Sequence, residues 1–169
     1  MKSKTDYRLY AKGLRKKLDM QRLSACMVEK IQKASYYVKA KNVMLFYPLS
    51  DEINLLDLLS DVDKNFYFPK VSGKELLACP YSTQMKKSDL NIMEPCTDPV
   101  DPEILDLVIV PALMADCKKY RLGYGGGFYD RFLPCCKNAF KLVVIPKELF
   151  VNELPHEEFD VPLDEVIYM

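Results

Sequence analysis

Histidine, glycine and long apolar runs are scarce in this sequence of 169 residues. The single histidine, His156, has no cysteine close to it along the chain, and the six cysteines form no C-x-x-C pair. These residue types therefore predict no structural zinc site. We interpret the cysteines as free thiols of a reducing compartment, mostly packed in the core.

The apolar runs are too short for a membrane segment. The longest, residues 107–115, has nine residues and contains Pro111, whereas a helix needs about 20 apolar residues to cross a bilayer. The charged N-terminus is not followed by the apolar segment of a secretory signal. We therefore expect no membrane partner and a cytoplasmic location.

Composition is that of an ordinary globular domain, with 49% hydrophobic and 28% charged residues. The length favours one domain over residues 1–169. Charge is unevenly distributed, because residues 1–41 hold twelve Lys and Arg against three Asp and Glu, and the remainder holds twelve against twenty-one. A basic arm suits nucleic acid, an acidic membrane or a polyphosphate, or simply neutralises an acidic body. Because no nucleic-acid-binding motif accompanies it, we expect no nucleic-acid partner.

The apolar spacing predicts helices alternating with strands. Helical periodicity predicts helices over residues 4–18, 22–39 and 53–59. Short apolar runs predict strands at residues 43–47, 66–68, 107–110, 142–145 and 166–168. Between them, Pro69 is expected to end the second strand, residues 75–90 to form a hairpin, and residues 91–103 to form a loop. This order predicts a three-layer α/β domain with a mostly parallel sheet covered on both faces.

Four of the six glycines fall in one short segment, at positions 123, 125, 126 and 127. Glycines let backbone N–H groups approach an anion closely, so a glycine-rich loop before a helix suits phosphate binding. Phe128 replaces the third glycine of the dinucleotide motif, and no G-K-[ST] follows, so neither standard phosphate motif applies. The alternative is a flexible turn. Asp130 then falls in the first helical turn, where it either faces Mg²⁺ or simply favours the helix start.

Three motifs resemble the 5-formyltetrahydrofolate cyclo-ligases, also called methenyltetrahydrofolate synthetases. They are L-F-Y-P-L-S-D-E-I at 45–53, D-L-V-I-V-P-A-L-M-A-D at 106–116 and R-L-G-Y-G-G-G-F-Y-D-R at 121–131. The resemblance implies the NagB/RpiA/CoA-transferase-like fold and the conversion of 5-formyltetrahydrofolate and MgATP to 5,10-methenyltetrahydrofolate, ADP and phosphate. The implied cofactors are ATP and Mg²⁺, and we expect a monomer.

The same resemblance assigns site residues. Those implied to bind the nucleotide are Lys4, Arg8, Arg121, Leu122, Gly123, Tyr124, Gly125, Gly126, Gly127, Phe128 and Tyr129. Those implied to bind the folate are Tyr47, Glu52 and Phe128, and those implied to associate with the metal are Asp130 and Asp160. Lys12 and Arg15 form a competing basic pair, three residues apart instead of four. We prefer Lys4 and Arg8, because residues four apart share a helix face.

Some positions depart from the family pattern. Leu149 stands where glutamine is frequent, Phe159 where histidine is frequent, and Phe128 lacks a tyrosine hydroxyl while keeping the ring. Two alternative functions stay open. One is a phosphate-handling enzyme of the isomerase type on the same fold, and the other is a protein that binds reduced folate without turnover.

Overall fold

A six-stranded, mostly parallel sheet organises the protein in the computed structural model, which describes residues 3–169. The helices are α1 (Lys4–Arg15), α2 (Met20–Gln32), α3 (Ser35–Lys39) and α4 (Phe128–Phe132). The strands are β1 (Asn42–Met44), β2 (Asn65–Ser72), β3 (Glu75–Pro80), β4 (Met85–Lys87), β5 (Met93–Pro95), β6 (Leu107–Val110), β7 (Met114–Asp116), β8 (Arg121–Leu122), β9 (Phe140–Ile145), β10 (Phe150–Val151) and β11 (Glu165–Tyr168). No helix within residues 3–169 is long and apolar enough to span a membrane.

The order in which the chain adds strands to the main sheet reverses at its centre, between β1 and β6. The order is β11-β9-β6-β1-β2-β3, and every neighbouring pair is parallel except the hairpin of β2 and β3. The chain builds outward from β1 on one side and from β6 on the other, so the loops after β1 and β6 diverge. A crevice at the carboxyl ends of these two strands is the usual ligand site of such sheets.

The main sheet is buried on both faces because its strands alternate between two cores. In β6, Leu107 and Ile109 pack with α2 and α3, whereas Val108 and Val110 pack with Ala11 of α1 and with α4. All four strand residues are fully buried. Each such side chain contributes about 1.5–3 kcal/mol of hydrophobic stabilisation. The predicted α/β architecture with a covered, mostly parallel sheet is therefore confirmed.

Several predicted element boundaries are wrong. The helix predicted over residues 22–39 is broken at Ala34, whose extended backbone (ψ 136°) starts α3 in a new direction and buries Tyr37 against the same core. The helix predicted over 53–59 is a 3-10 helix, Leu56–Ser60. Residues 75–90 are not one hairpin, because β3 pairs with β2 and β4 pairs with β5. The predicted loop over 91–103 contains β5.

Pro69 does not end β2, although its missing N–H predicts that it should. The Tyr67 carbonyl accepts a hydrogen bond from the Leu45 amide, on the β1 side. Residues two apart along a strand direct their backbone groups to the same side, so the backbone nitrogen of Pro69 lies on the same side as β1 but beyond its end. No hydrogen bond to β1 is therefore lost through the missing N–H. Two residues further on, the Val71 amide on that side donates to Glu94 Oε1 at 3.0 Å.

A small second sheet, ordered β10-β7-β8, carries the glycine-rich segment. Its turn is held by Asp116, which is fully buried. Asp116 Oδ1 accepts hydrogen bonds from the amides of Lys118 (3.0 Å) and Tyr120 (2.9 Å), and Oδ2 accepts one from the Leu154 amide at 2.8 Å. The carboxylate therefore fixes the start of the C-terminal segment, residues 154–164, relative to β8.

Replacing Asp116 is expected to destabilise the protein. Asp116→Asn turns one acceptor oxygen into an NH₂ group facing a buried N–H, so we expect a loss of about 3 kcal/mol in the free energy of unfolding. Urea unfolding followed by circular dichroism measures it. The exposed Asp63→Asn is the matched control and should change stability by less than about 0.5 kcal/mol. Equal stability of the two variants would contradict a structural role for Asp116.

Candidate nucleotide and folate site

A cavity of about 690 Å³ lies at the carboxyl ends of β1 and β6. Its volume falls in the range of small-molecule sites. Phe46 and Tyr47 after β1 and Pro111 after β6 form part of its wall, and the whole segment 121–130 lines it. Glu52 after β1, Glu94 of β5, the C-terminal segment and α1 contribute the remaining charged groups. The crevice at the centre of the sheet is therefore the candidate site.

The glycine loop leads into the helix α4, as the sequence predicts, and it follows the short strand β8. Gly125 has φ 104° and Gly127, the residue before α4, has φ 65°, conformations that L side chains rarely adopt. Arg8 Nε donates to the Gly123 carbonyl at 2.9 Å. A Cβ atom at position 125 would lie 3.5 Å from the Arg8 guanidinium carbon. Arg8 thus packs directly against the loop.

Lys4 connects α1 to the C-terminal segment. Its Nζ donates to Asp160 Oδ2 at 2.7 Å and lies 3.1 Å from Glu157 Oε1. Burial lowers the pKa of Lys4, but the hydrogen bonds and charges of Asp160 and Glu157 outweigh burial and raise it above its ordinary value. Lys4 is therefore a fixed positive charge at the cavity wall. The Glu157 amide also donates to Asp160 Oδ2 at 2.7 Å, which holds the carboxylate in place.

Arg121 and Asp130 form a second ion pair, from β8 to α4. Arg121 Nη2 lies 3.0 Å from Asp130 Oδ1, and the arginine side chain is almost completely buried. Arg121 Nη1 donates to the Val161 carbonyl at 3.1 Å, and the Val161 amide donates to Asp130 Oδ1 at 3.2 Å. These bonds close a ring of contacts between the glycine loop and the C-terminal segment.

A cluster lies behind the loop, formed by the buried side chains of Arg15 and Glu52 and by Tyr124, which is 41% exposed but directs its hydroxyl to both of them. Arg15 Nη1 donates to the Tyr124 hydroxyl at 2.7 Å, and that hydroxyl donates to Glu52 Oε1. Glu52 Oε2 accepts from the Leu49 amide at 2.8 Å. Burial, and then the charge of Glu52, raise the pKa of Tyr124, so the hydroxyl keeps its proton and acts as a donor. Arg15 Nη2 donates to the Ala112 carbonyl.

Apolar and aromatic side chains line the rest of the cavity. Tyr47 packs against the Phe68 ring, with centroids 6.5 Å apart. The Arg131 guanidinium lies 5.3 Å from the centroid of Phe128. Phe159 is two-thirds exposed at the edge of the cavity, and Lys4 Nζ lies 5.7 Å from its ring centroid. The cavity thus combines flat apolar surfaces with a charged end.

The structure brings all the sequence-predicted site residues to this one cavity. They are Lys4, Arg8, Tyr47, Glu52, the segment 121–130 and Asp160. Of the competing pair, Lys12 is exposed outside the cavity, whereas Arg15 is buried behind the loop. Leu149 is a fully buried core residue, so this departure lies away from the cavity. His156 does not line the cavity and stacks on Tyr120.

Sequence reasoning missed several residues of the site. It did not include Glu157, although its carboxylate lies beside Lys4. It left Arg15 only as an alternative phosphate contact, whereas the structure pairs it with Tyr124 and Glu52. Ala11 and Leu14 of the same helix pack into the core. Arg15 lies on the same helix face, so the amphipathic pattern of α1 could have indicated that its side chain is buried.

The donor set of the cavity suits a divalent cation bound together with an anionic ligand. Five carboxylates line it (Glu52, Glu94, Asp130, Glu157 and Asp160) against three cationic side chains (Lys4, Arg8 and Arg121). No group of three metal-binding side chains is preassembled anywhere in residues 3–169. Mg²⁺ is commonly held by one or two carboxylates together with substrate phosphates. Asp130 and Asp160 are therefore suited to supply some of the ligands of Mg²⁺, and phosphate oxygens of the substrate would supply others.

Fold and site together are typical of an α/β protein that binds a phosphorylated ligand at the centre of its sheet. The sequence model of the 5-formyltetrahydrofolate cyclo-ligase family matches residues 6–169. The chain belongs to this family.

Individual relatives agree with this assignment. The chain is similar to the 5-formyltetrahydrofolate cyclo-ligase of Haemophilus influenzae, with 33% identity over 142 residues that cover 76% of each chain. It is similar to the solved structure of Aquifex aeolicus 5,10-methenyltetrahydrofolate synthetase, with a TM-score of 0.87 and 29% identity over 98% of this chain and 89% of that one. The Mycoplasma pneumoniae 5,10-methenyltetrahydrofolate synthetase, 20% identical over 98% of both chains, shares the fold with a TM-score of 0.80.

A side chain at a loop glycine with positive φ should impair phosphate binding. Gly125→Ala places a side chain at φ 104° and against Arg8, so we expect nucleotide affinity to fall about 10-fold or more. Calorimetric titration with an ATP analogue measures it. Gly73→Ala is the matched control, because Gly73 also has positive φ (60°) but lies in open space at the β2–β3 turn. Equal loss of nucleotide affinity in both variants would contradict a local role of the loop.

Proposed function

We propose that this chain converts 5-formyltetrahydrofolate to 5,10-methenyltetrahydrofolate with consumption of ATP. The observation that carries the proposal is the convergence of the glycine loop, the cations of α1 and Glu52 on one cavity. Family membership supports the same reaction. The single-domain organisation, cytoplasmic location and monomeric state expected from the sequence stay predictions.

The charged end of the cavity is the proposed phosphate site. Lys4, Arg8 and Arg121 supply positive charge, and the loop between them supplies backbone N–H groups without obstructing side chains. Arg121 and Lys4 are held in place by their carboxylate partners, so they need little reorganisation when phosphate arrives.

The aromatic end is the proposed folate site. Tyr47 and Phe128 offer flat surfaces for the pterin and the adjoining ring of the substrate. Glu52 offers carboxylate oxygens as acceptors for the pterin N–H groups. Phe128 provides a stacking surface but no hydroxyl, so any polar contact with the substrate there comes from other side chains.

The proposed reaction activates a poor leaving group. The formyl oxygen attacks the γ-phosphorus of ATP, and the bond from that phosphorus to the bridging oxygen breaks to release ADP. N10 then attacks the formyl carbon, the carbon–oxygen bond breaks to release phosphate, and the N10 proton is lost. The protein's task is to hold the formyl oxygen in line with the γ-phosphate and to balance the phosphate charge.

Magnesium is part of the proposal. Asp130 and Asp160 would hold it together with phosphate oxygens, and when bound it would neutralise phosphate charge. The need is physical, because the carboxylates lining the cavity outnumber the cationic side chains and a polyphosphate adds further negative charge.

The direct test is an absorbance assay with 5-formyltetrahydrofolate and MgATP, following the methenyl product in the near ultraviolet. We expect product that requires ATP and is accompanied by one phosphate per turnover. Turnover without nucleotide would instead favour the isomerase type of enzyme. Folate binding by calorimetry without any product would favour a reduced-folate-binding protein.

Replacing Arg8 of α1 should weaken nucleotide binding selectively. Arg8→Gln loses a charge beside the loop and the hydrogen bond to Gly123, so we expect KM for ATP to rise about 10-fold or more, with a smaller effect on KM for folate. The matched control is Lys12→Gln, on the same helix but exposed outside the cavity. A larger loss in the Lys12 variant would assign the phosphates to the competing pair.

Asp130 can be tested as a metal ligand separately from its ion pair. If it binds Mg²⁺, Asp130→Asn should raise the Mg²⁺ concentration needed for half-maximal turnover about 10-fold. Magnesium titrations at fixed ATP measure this shift, with the exposed Glu158→Gln as control. An unchanged Mg²⁺ dependence with lower thermal stability would mean that Asp130 only positions Arg121.

A further inference from the structure

Tyr124 belongs to both ends of the cavity. Its backbone lies in the glycine loop, between Gly123, whose carbonyl is held by Arg8, and Gly125. Its hydroxyl points away from the loop, to Glu52 and Arg15. A single residue thus connects the proposed phosphate-binding backbone to the proposed folate-binding carboxylate.

The hydroxyl is the connection between the two buried charges. Arg15 Nη1 and Glu52 Oε1 are 3.8 Å apart, too far for a good hydrogen bond. The Tyr124 oxygen accepts from the arginine at 2.7 Å and donates to the carboxylate. Because both charged side chains are nearly fully buried, an unmet hydrogen bond here is costly.

The remaining contacts of the cluster are fixed to the scaffold. Glu52 Oε2 is held by the Leu49 amide at 2.8 Å, and Arg15 Nη2 is held by the Ala112 carbonyl. The Tyr124 hydroxyl, in contrast, belongs to a loop whose backbone lines the cavity and is the proposed phosphate site. The orientation of Glu52 Oε1 therefore depends on where the loop lies.

We propose that Tyr124 is a positioning residue that couples the two ligands, so that nucleotide bound on the glycine loop fixes Glu52 and strengthens folate binding. The inference rests on the proposed function, since it takes the loop as the phosphate site and Glu52 as the folate contact. Coupling between two ligands is reciprocal, so bound folate strengthens nucleotide binding by the same factor.

The test measures coupling instead of activity. The dissociation constant of 5-formyltetrahydrofolate is determined by calorimetry with and without a saturating non-hydrolysable ATP analogue and Mg²⁺. We expect the analogue to tighten folate binding about 5-fold or more in the unmodified protein, and to change it less than about 2-fold in Tyr124→Phe, which lacks only the hydroxyl. Tyr124→Met is a second variant without the hydroxyl, for which the same loss is expected.

Tyr168→Phe is the matched control. Tyr168 lies on β11, stacked on Phe150 and outside the cavity, so its loss of a hydroxyl should leave the coupling unchanged. A double-mutant cycle adds a second readout. In the Glu52→Gln background, Tyr124→Phe should have no further effect on the coupling, because both substitutions break the same connection.

The outcomes separate the inference from the proposed function. A protein that binds both ligands and turns over, but shows the same coupling with and without the Tyr124 hydroxyl, overturns the inference alone. A uniform weakening of both ligands with unchanged coupling also overturns it and leaves Tyr124 a structural role. Binding of neither ligand by the unmodified protein overturns the proposed function itself.

Discussion

The buried carboxylate of Glu52 is the constraint around which the site is arranged. A charge removed from water must be compensated by a counter-charge and hydrogen bonds. Here the compensation comes from Arg15 on α1, the Tyr124 hydroxyl and the Leu49 amide. Three segments distant in sequence are thereby brought to one point, and the cavity opens beside it. The other ion pairs of the site extend the same pattern outward to its charged edge.

Those outer pairs place opposite charges side by side along the edge of the cavity. Each proposed phosphate-binding cation except Arg8 is paired with a carboxylate, Lys4 with Asp160 and Arg121 with Asp130. Pairing keeps the side chains oriented without ligand, at the cost of reducing the attraction for an anion. A divalent cation would resolve this conflict, because the carboxylates of these pairs would bind the cation while their former partners, Lys4 and Arg121, bind the phosphate. The arrangement thus favours a nucleotide that arrives with its metal.

Much of the fold and of the candidate site could be predicted from the sequence. Apolar runs such as residues 107–110 specify a strand by their length and their flanking proline, and the glycine cluster specifies a loop by composition. Local signals failed where tertiary contacts decide. Pro69 continues a strand because its neighbour β1 has already ended, and the helical spacing of apolar residues over 22–39 continues through Ala34 although the helix breaks there. Likewise, the partners of Arg15 and Asp130 come from folding, since their spacing in the chain does not indicate them.

The contact between Lys4 and Asp160 also bears on how the site can form. These residues are 156 positions apart, so the charged edge of the cavity forms only when two distant segments of the chain meet, and closing the loop between them costs chain entropy. A nascent chain emerging from the ribosome can build β1 and β6 long before it contains residue 160. Ligand can therefore stabilise the chain only after residue 160 has been made, and protection of α1 and of the C-terminal segment from proteolysis on ligand binding would be a single event.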